Sequence, residues 1–240
     1  MTPALPPALV VHGALGSTAQ MHPIVEALSA SGRFAAVQAV ELPGHGRTPT
    51  SVGFGMGPFT SALATAVRDV GFGRPVVFGY SMGGYVALLL EASAPGSLGG
   101  IVTLGTMLHW TPEVAARAAS RLDPAPMRAK VPAFAEALEA RHRGAGGWEQ
   151  VVADTAALLT TLGAAPPLTD DALRAIACPV HLLVGSKDDT VTLEETTRAA
   201  SHIPHARASL LDGVPHPIER VPPALIVREL TDLADFTTGG

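Results

Sequence analysis

Apolar residues along this chain fall into two kinds of block, and the way the blocks alternate predicts the elements. Blocks of the first kind are short, largely apolar runs closed by glycine, proline or histidine, at 8–11, 36–42, 75–78, 100–106, 180–184 and 208–211. Such runs suit strands buried on both faces of a parallel sheet. Blocks of the second kind carry helical spacing: 21–30, with Ile24, Val25 and Leu28 on one face, then 60–70, 85–92, 193–201 and 222–236. A short helix at 170–176 leads back into the strand at 180. Strand and helix take turns with no tandem hairpin. That rhythm predicts an α/β domain with a mostly or wholly parallel, doubly wound sheet of about six strands.

The rhythm breaks once. From 107 to 170 there is no strand signal, and three helical stretches fit at 112–122, 127–141 and 148–162, separated by proline and glycine. An all-helical insertion between two strands reads as a lid rather than another layer of the sheet. The expected organisation is a single structural unit, with a core at 1–106 and 171–240 and a lid at 107–170.

Composition narrows the class. Of 240 residues, 47% are apolar and 15% charged, enough to build a large core and too apolar for disorder. The formal net charge is −5 and no run of lysine or arginine occurs, which argues against nucleic-acid and polybasic membrane partners. No apolar run approaches the length of a membrane span. The stretch Met1-Thr2-Pro3-Ala4-Leu5-Pro6-Pro7 has no basic segment and too many prolines for a signal peptide. Cys178 is the single cysteine, so no internal disulfide forms, and its place at the start of a buried strand reads as a packed thiol. A cytoplasmic protein is the expectation.

Candidate chemistry first appears at Gly79-Tyr80-Ser81-Met82-Gly83-Gly84. This stretch follows an apolar strand and precedes an unbroken helix, the context of a Gly-x-Ser-x-Gly nucleophile elbow. The chain must reverse so sharply at Ser81 that only residues without bulk fit two positions to either side; Gly79 and Gly83 supply that room. The helix start then points unpaired N–H groups and partial positive charge at the serine hydroxyl. A serine so placed can attack a carbonyl, and the N–H of Met82 can stabilise the resulting oxyanion. In a glycine-rich chain the pattern alone is weak, so the other strand ends must decide its meaning. There, where ligands of open parallel sheets collect, stand His12-Gly13-Ala14-Leu15, Gly44-His45-Gly46, Asp188-Asp189 and His216.

Taken in order, Val11-His12-Gly13, Leu42-Pro43-Gly44-His45-Gly46, the Ser81 elbow, Gly185-x-x-Asp188-x-x-Val191 and Gly213-x-x-His216 resemble the motifs of the α/β-hydrolase fold superfamily. Within it the chain looks like a serine-nucleophile, esterase-like member with a helical lid. The motifs span nearly the whole chain, and the lid is the part they constrain least. The resemblance implies Ser81 as nucleophile, His216 as general base and Asp188 as the acid that holds the imidazole. It selects Asp188 by its place between Gly185 and Val191, leaving Asp189 as a helix-cap or surface residue. A second oxyanion N–H is implied after His12-Gly13, from Ala14, with Leu15 as the alternative. His12 then reads as a loop organiser and His45 as a structural histidine. Three departures stand out. Only about seven residues precede the first strand, so the family's antiparallel hairpin is expected to be missing. Glu41 stands where many members have aspartate, and Glu219 follows His216 too closely to match the usual later acid.

No metal or cofactor is expected. His202 and His205 flank Pro204 without a nearby third ligand and read as a surface loop. Met107, Leu108 and Trp110 follow the fourth strand, Phe54 and Met56 stand opposite, and with Leu15 they form the candidate pocket. No arginine or lysine is placed to grip a carboxylate or phosphate. The expected partner is a small-molecule, neutral carboxylic ester with an apolar acyl group, thioesters and lactones remaining open, cleaved through an acyl-enzyme. The same triad could serve C–C hydrolysis, acyl transfer, or cofactor-free haloperoxidase or perhydrolase chemistry, or persist in a low-turnover ligand sensor.

Overall fold

The computed structural model describes residues 5–238 and holds six strands: β1 (Ala8–Val11), β2 (Val37–Val40), β3 (Val76–Tyr80), β4 (Gly100–Leu104), β5 (Val180–Lys187) and β6 (Ala206–Pro215). They form one sheet in the order β2-β1-β3-β4-β5-β6, and every pairing among the described residues is parallel. Helices α1 (Thr18–Ala30), α2 (Met56–Asp69) and α3 (Met82–Ser93) connect the first four strands. After β4 come the four helices of the insertion, α4 (Pro112–Ala119), α5 (Pro124–Lys130), α6 (Pro132–Arg141) and α7 (Trp148–Ala164). The short α8 (Asp170–Arg174) leads back to β5, α9 (Leu193–His202) joins β5 to β6, and α10 (Pro223–Thr238) follows.

The inner strands β1, β3 and β4 are buried along their whole length because helices cover both faces of the sheet there, whereas the edge strands β2 and β6 are largely half-buried or exposed. Leu9, Val11 and Val77 pack with Phe59 and Leu63 of α2 and Val86 of α3. Their neighbours Ala8, Val10, Val76 and Phe78 pack with Met21 and Leu28 of α1 and Ile226 and Leu230 of α10. Successive side chains point to opposite faces, so a strand between two helical layers has no polar face to show. Each fully buried large side chain contributes about 1.5–3 kcal/mol. Cys178 is buried, and burial pushes its thiol up to about 12.

Element ends depart from the sequence expectation where a proline, a glycine or a strand partner intervenes. The helix expected from 60 starts at Met56, entered through Gly55 at φ +148°. The single helix expected at 127–141 is two, α5 and α6. Pro132 has no N–H to donate and pushes Val131 out of helical geometry, to φ −136° and ψ 60°. β5 and β6 outrun their apolar cores, to Lys187 and Pro215, because they continue to pair past a register shift between Gly185 and Lys187.

The chain order decides where a site can form. β1 and β3 are neighbours, yet the chain leaves β1 for β2 on one side and β3 for β4 on the other. Such a switch point opens a crevice outside the carboxyl ends of the two strands. The loop after β1 and the Ser81 turn after β3 both lie there. The helical insertion has an apolar cluster of its own, with Met127, Leu138, Trp148, Val151 and Val152, and Leu15 from the β1 loop is part of it. No helix among the described residues is long and apolar enough to cross a membrane.

Candidate active site

Ser81 stands between β3 and α3 at φ 50° and ψ −116°, in a region of backbone space that costs about 1–3 kcal/mol. The surroundings hold it there. Its N–H donates to the Leu104 carbonyl at 2.8 Å, and its carbonyl accepts from Thr106 Oγ1 at 2.9 Å and from the Gly84 N–H at 3.0 Å. The flanking glycines are required by contact: a Cβ on Gly79 would stand 2.5 Å from Gly84 Cα, and one on Gly83 would stand 2.4 Å from the Val11 carbonyl oxygen. Met82 opens α3, so its N–H belongs to the first turn, which has no intrahelical acceptor.

The ends of β5 and β6 bring a carboxylate and an imidazole together. His216 Nδ1 lies 2.8 Å from Asp188 Oδ2. The other oxygen of Asp188 accepts from the N–H groups of Thr190 at 2.8 Å and Val191 at 2.9 Å. The Asp188 side chain is 2% exposed. Burial alone would raise its pKa, but the His216 imidazole and the two N–H donors outweigh burial and hold the carboxyl below its ordinary value. A carboxylate facing Nδ1 puts the proton on Nδ1 and leaves Nε2 as the acceptor. Tyr80 donates its hydroxyl to the His216 carbonyl at 3.0 Å and steadies the same turn. Asp189, in contrast, is exposed, with a Thr190 hydroxyl at 3.4 Å.

The loop after β1 is a tight turn, in which the Gly16 N–H donates to the Gly13 carbonyl at 3.1 Å. A Cβ on Gly13 would stand 3.2 Å from Ser81 Cβ, so this turn lies directly against the elbow. Leu15 occupies its third position at φ 56°, the type II pattern that ordinarily takes glycine or asparagine. For a leucine this conformation costs about 1–2 kcal/mol. Burial of its side chain, 8% exposed within the insertion's cluster, offsets that by about 1.5–3 kcal/mol. Its carbonyl also accepts from Arg141 Nη1 at 2.8 Å and from His142 Nε2 at 3.0 Å.

Histidines organise the base of this loop. His12 Nδ1 faces the Gly13 carbonyl at 2.8 Å, and its Nε2 accepts from the Leu42 N–H at 3.1 Å. Glu41 accepts from the Thr18 N–H at 2.9 Å and hydroxyl at 3.1 Å, and so caps α1 in place of Ser17. His45 is fully buried among His12, Phe54, Phe59 and His142. His142 Nδ1 accepts from the Gly46 N–H at 3.0 Å, which leaves Nε2 to carry the proton given to Leu15. Burial lowers its pKa to about 4, against the opposing pull of the Leu15 carbonyl, so the imidazole is neutral at ordinary pH.

The candidate pocket residues divide. Phe54 and Met56 line a cleft of ≈ 410 Å3 with Leu158 and Leu162 of α7. Trp110 packs in the same core cluster as Met82 and Leu158, with its Nε1 buried and unpartnered among the described residues. Met107 is half-buried. Leu108 borders Leu173 of α8, and its N–H donates to Glu195 at 2.6 Å. Leu15 sends its side chain into the insertion's cluster. Sequence reasoning placed no cation near the site, whereas Arg141 reaches the turn beside Ser81 from 126 residues away from Leu15. It also passed over Gly105: a Cβ there would stand 3.0 Å from both Asp188 Oδ2 and His216 Nδ1. The clue was a glycine closing the fourth apolar run, at a strand end where the other candidates cluster.

A second serine–histidine–carboxylate array lies elsewhere on the sheet. His181 Nε2 is 2.8 Å from Ser209 Oγ, and its Nδ1 is 3.1 Å from Glu229 Oε2 but out of hydrogen-bond alignment. Ser209 sits within β6, so no helix start follows it to supply unpaired donors. No group of three or more metal-ligating side chains occurs among the described residues, and His202 faces Asp170 at 3.7 Å.

This layout of strand-end turns is that of a known class. The profile of the alpha/beta hydrolase family matches residues 8–229, and the chain belongs to that family. Lipase LipV of Mycobacterium tuberculosis H37Rv is 33% identical over 101 residues, 39% of this chain and 39% of that one. The chloroplastic protein PHYLLO of Arabidopsis thaliana is 32% identical over 106 residues, 40% of this chain and 6% of that one. The matched segments thus span well under two thirds of either relative. A thermophilic esterase from Thermogutta terrifontis shares the fold with a TM-score of 0.73 and 22% identity, over 99% of this chain and 92% of that one. Family and relatives together support a hydrolase.

Proposed function

We propose that the protein is a serine hydrolase that cleaves small neutral carboxylic esters with an apolar acyl group through an acyl-enzyme. The observation that carries this reading is the 2.8 Å contact between His216 Nδ1 and Asp188 Oδ2 at the carboxyl ends of β6 and β5, on the same edge of the parallel sheet as the Ser81 elbow. Asp188 holds the imidazole in the tautomer that leaves Nε2 open to take a proton. His216 removes the proton from Ser81 Oγ as that oxygen attacks the ester carbonyl, and returns it to the leaving alcohol. Water, activated by the same imidazole, then releases the acid. The oxyanion forms between the N–H of Met82 and that of Ala14, in the crevice at the switch point. Ser81 Oγ has no hydrogen-bond partner among the described residues, and such contacts commonly tighten only when substrate is bound.

The helical insertion acts as the lid in this reading. The cleft between α7 and the segment carrying Phe54 and Met56 takes the apolar acyl group, and its ≈ 410 Å3 suits a small to medium chain. The chemistry needs no metal and no cofactor, because the imidazole–carboxylate pair supplies the base and backbone N–H groups supply the charge stabilisation. The test is turnover of short and medium p-nitrophenyl esters together with labelling by a serine-directed phosphonate. Turnover and labelling that both vanish in Ser81→Ala support the proposal; a wild-type protein that neither turns over nor labels sinks it.

A further inference from the structure

Arg141 and His142, at the carboxyl end of α6, belong neither to the Ser81–His216–Asp188 set nor to the turn that carries Ala14. We propose that they are positioning residues for the oxyanion hole, holding Leu15 in its left-handed turn and so aiming the N–H groups of the Ala14–Leu15 segment at Ser81. The inference rests on the serine-hydrolase reading and extends it to the helical insertion.

Leu15 and Ser81 are the two non-glycine residues at positive φ among the described residues. The elbow accounts for Ser81. A leucine at the third position of this turn keeps such a conformation only when its surroundings over-determine it. They do. A carbonyl oxygen has two lone pairs, and both of Leu15's are taken, by Arg141 Nη1 at 2.8 Å and His142 Nε2 at 3.0 Å. Its side chain is locked among Leu138, Trp148 and Val152. Carbonyl and side chain are both held from the insertion, and the Gly16–Gly13 bond of 3.1 Å closes the rest of the turn.

The two residues also tie the turn to its neighbours. His142 Nδ1 accepts from the Gly46 N–H at 3.0 Å, so one neutral imidazole bridges the loops after β1 and β2. Arg141 Nη2 reaches Glu219 at 3.5 Å, in the turn that follows His216. Glu219 in turn accepts from Gln20 of α1 at 2.6 Å. Arg141 therefore joins the oxyanion turn to the base's turn, with its own side chain 17% exposed. Gly144, just beyond, packs so closely that a Cβ on it would stand 2.7 Å from Arg47 Cα. The end of α6 is thus docked on three strand-end loops at once, one of them the turn that carries the Ala14 and Leu15 N–H groups.

The test compares wild type with Arg141→Met, Arg141→Lys, His142→Leu and His142→Gln. Active sites are counted by phosphonate titration, and kcat and KM are measured on p-nitrophenyl acetate, whose acyl group is too small to need the cleft. Affinity for a trifluoromethyl ketone, whose adduct places an oxyanion in the hole, is measured beside melting temperature. Displacing donors by about 1 Å can cost on the order of 100-fold in rate. Arg141→Met and His142→Leu should lower kcat per titrated site at least ~10-fold with KM nearly unchanged, and weaken the ketone by the same factor. Glutamine in place of His142, which can donate to Leu15 and accept from Gly46, should restore most of the loss; lysine in place of Arg141 should restore part. Should the first two variants fail to fold, an Arg141→Lys protein with wild-type kcat and wild-type ketone affinity beside a lowered melting temperature would overturn the proposal. So would unchanged kcat per site in folded Arg141→Met and His142→Leu, which would make the pair a structural anchor only. A wild-type protein that neither labels nor turns over would instead sink the hydrolase reading, and this inference with it.

Discussion

A β-carbon built on Gly105 would stand 3.0 Å from His216 Nδ1, tighter than ordinary van der Waals contact. The same carbon would lie 3.0 Å from Asp188 Oδ2, so the imidazole–carboxylate pair rests against the bare Cα of this residue. Gly105 also sits at φ +63°, where alanine carries a cost of about 1–2 kcal/mol. Gly105→Ala should therefore lower both melting temperature and activity, with kcat per titrated site falling ~10-fold or more as the imidazole is pushed out of line. A stability loss with unchanged kcat would show that the pair is not at the reaction centre.

The two neighbouring aspartates should behave oppositely. Asp188 is buried with three hydrogen bonds to its carboxylate, whereas Asp189 is exposed. Neutralising the carboxylate of a serine–histidine–aspartate triad costs about 10,000-fold in kcat, because the imidazole adopts the wrong tautomer. Asp188→Asn should approach that loss and Asp189→Asn should stay within about twofold of wild type. Steady-state ester hydrolysis decides, and the reverse ranking would move the acid to Asp189.

Connectivity alone should not make a nucleophile. Ser209 contacts His181 at 2.8 Å, yet it lies inside β6 with no helix start beyond it. Ser209→Ala should leave ester turnover and phosphonate labelling unchanged, while Ser81→Ala abolishes both. Labelling that survives Ser81→Ala and disappears with Ser209→Ala would invert the assignment.

Acid should destabilise the fold in a defined window. His45, His142 and His181 are 0%, 0% and 3% exposed, and burial holds each imidazole below its ordinary value of 6.5. For His142 and His181 the lowered value is about 4. Between 6.5 and about 4 the unfolded chain therefore binds protons that the folded protein refuses, and stability falls as pH falls. Asp188 and Glu41 have folded values below their ordinary ones, so their contribution is intact above the ordinary carboxylate range and is lost only at still lower pH. Urea midpoints should drop between about pH 7 and about pH 5, with a shallower slope in His142→Gln. A midpoint independent of pH across that interval would contradict the neutral, buried state of these histidines.

The layering of this protein was legible in the chain. A run such as Ala8-Leu9-Val10-Val11 has no polar face to offer water, so it belongs in a sheet covered on both sides, and the helical blocks between such runs supply the cover. The elbow was legible for a local reason too. Gly79 and Gly83 are demanded by backbone that passes within a few residues in sequence and by one adjacent strand. The positions of Asp188 and His216 at strand ends could be read, because parallel strands gather their carboxyl ends on one edge.

Other features arose only in three dimensions. Nothing in the sequence separates Arg141 from Arg143 or Arg128, since the partner it finds is a main-chain carbonyl, a group every residue carries. In the sequence Leu15 reads as the alternative oxyanion donor and a pocket residue, and only packing against the insertion makes its left-handed turn tenable. The break between α5 and α6 was signalled by Pro132, but the direction in which α6 then points depends on where its apolar face finds cover. Hydrophobic periodicity and glycine spacing report on what a segment needs from its surroundings. Which distant segment meets that need is settled by the packing of the whole chain.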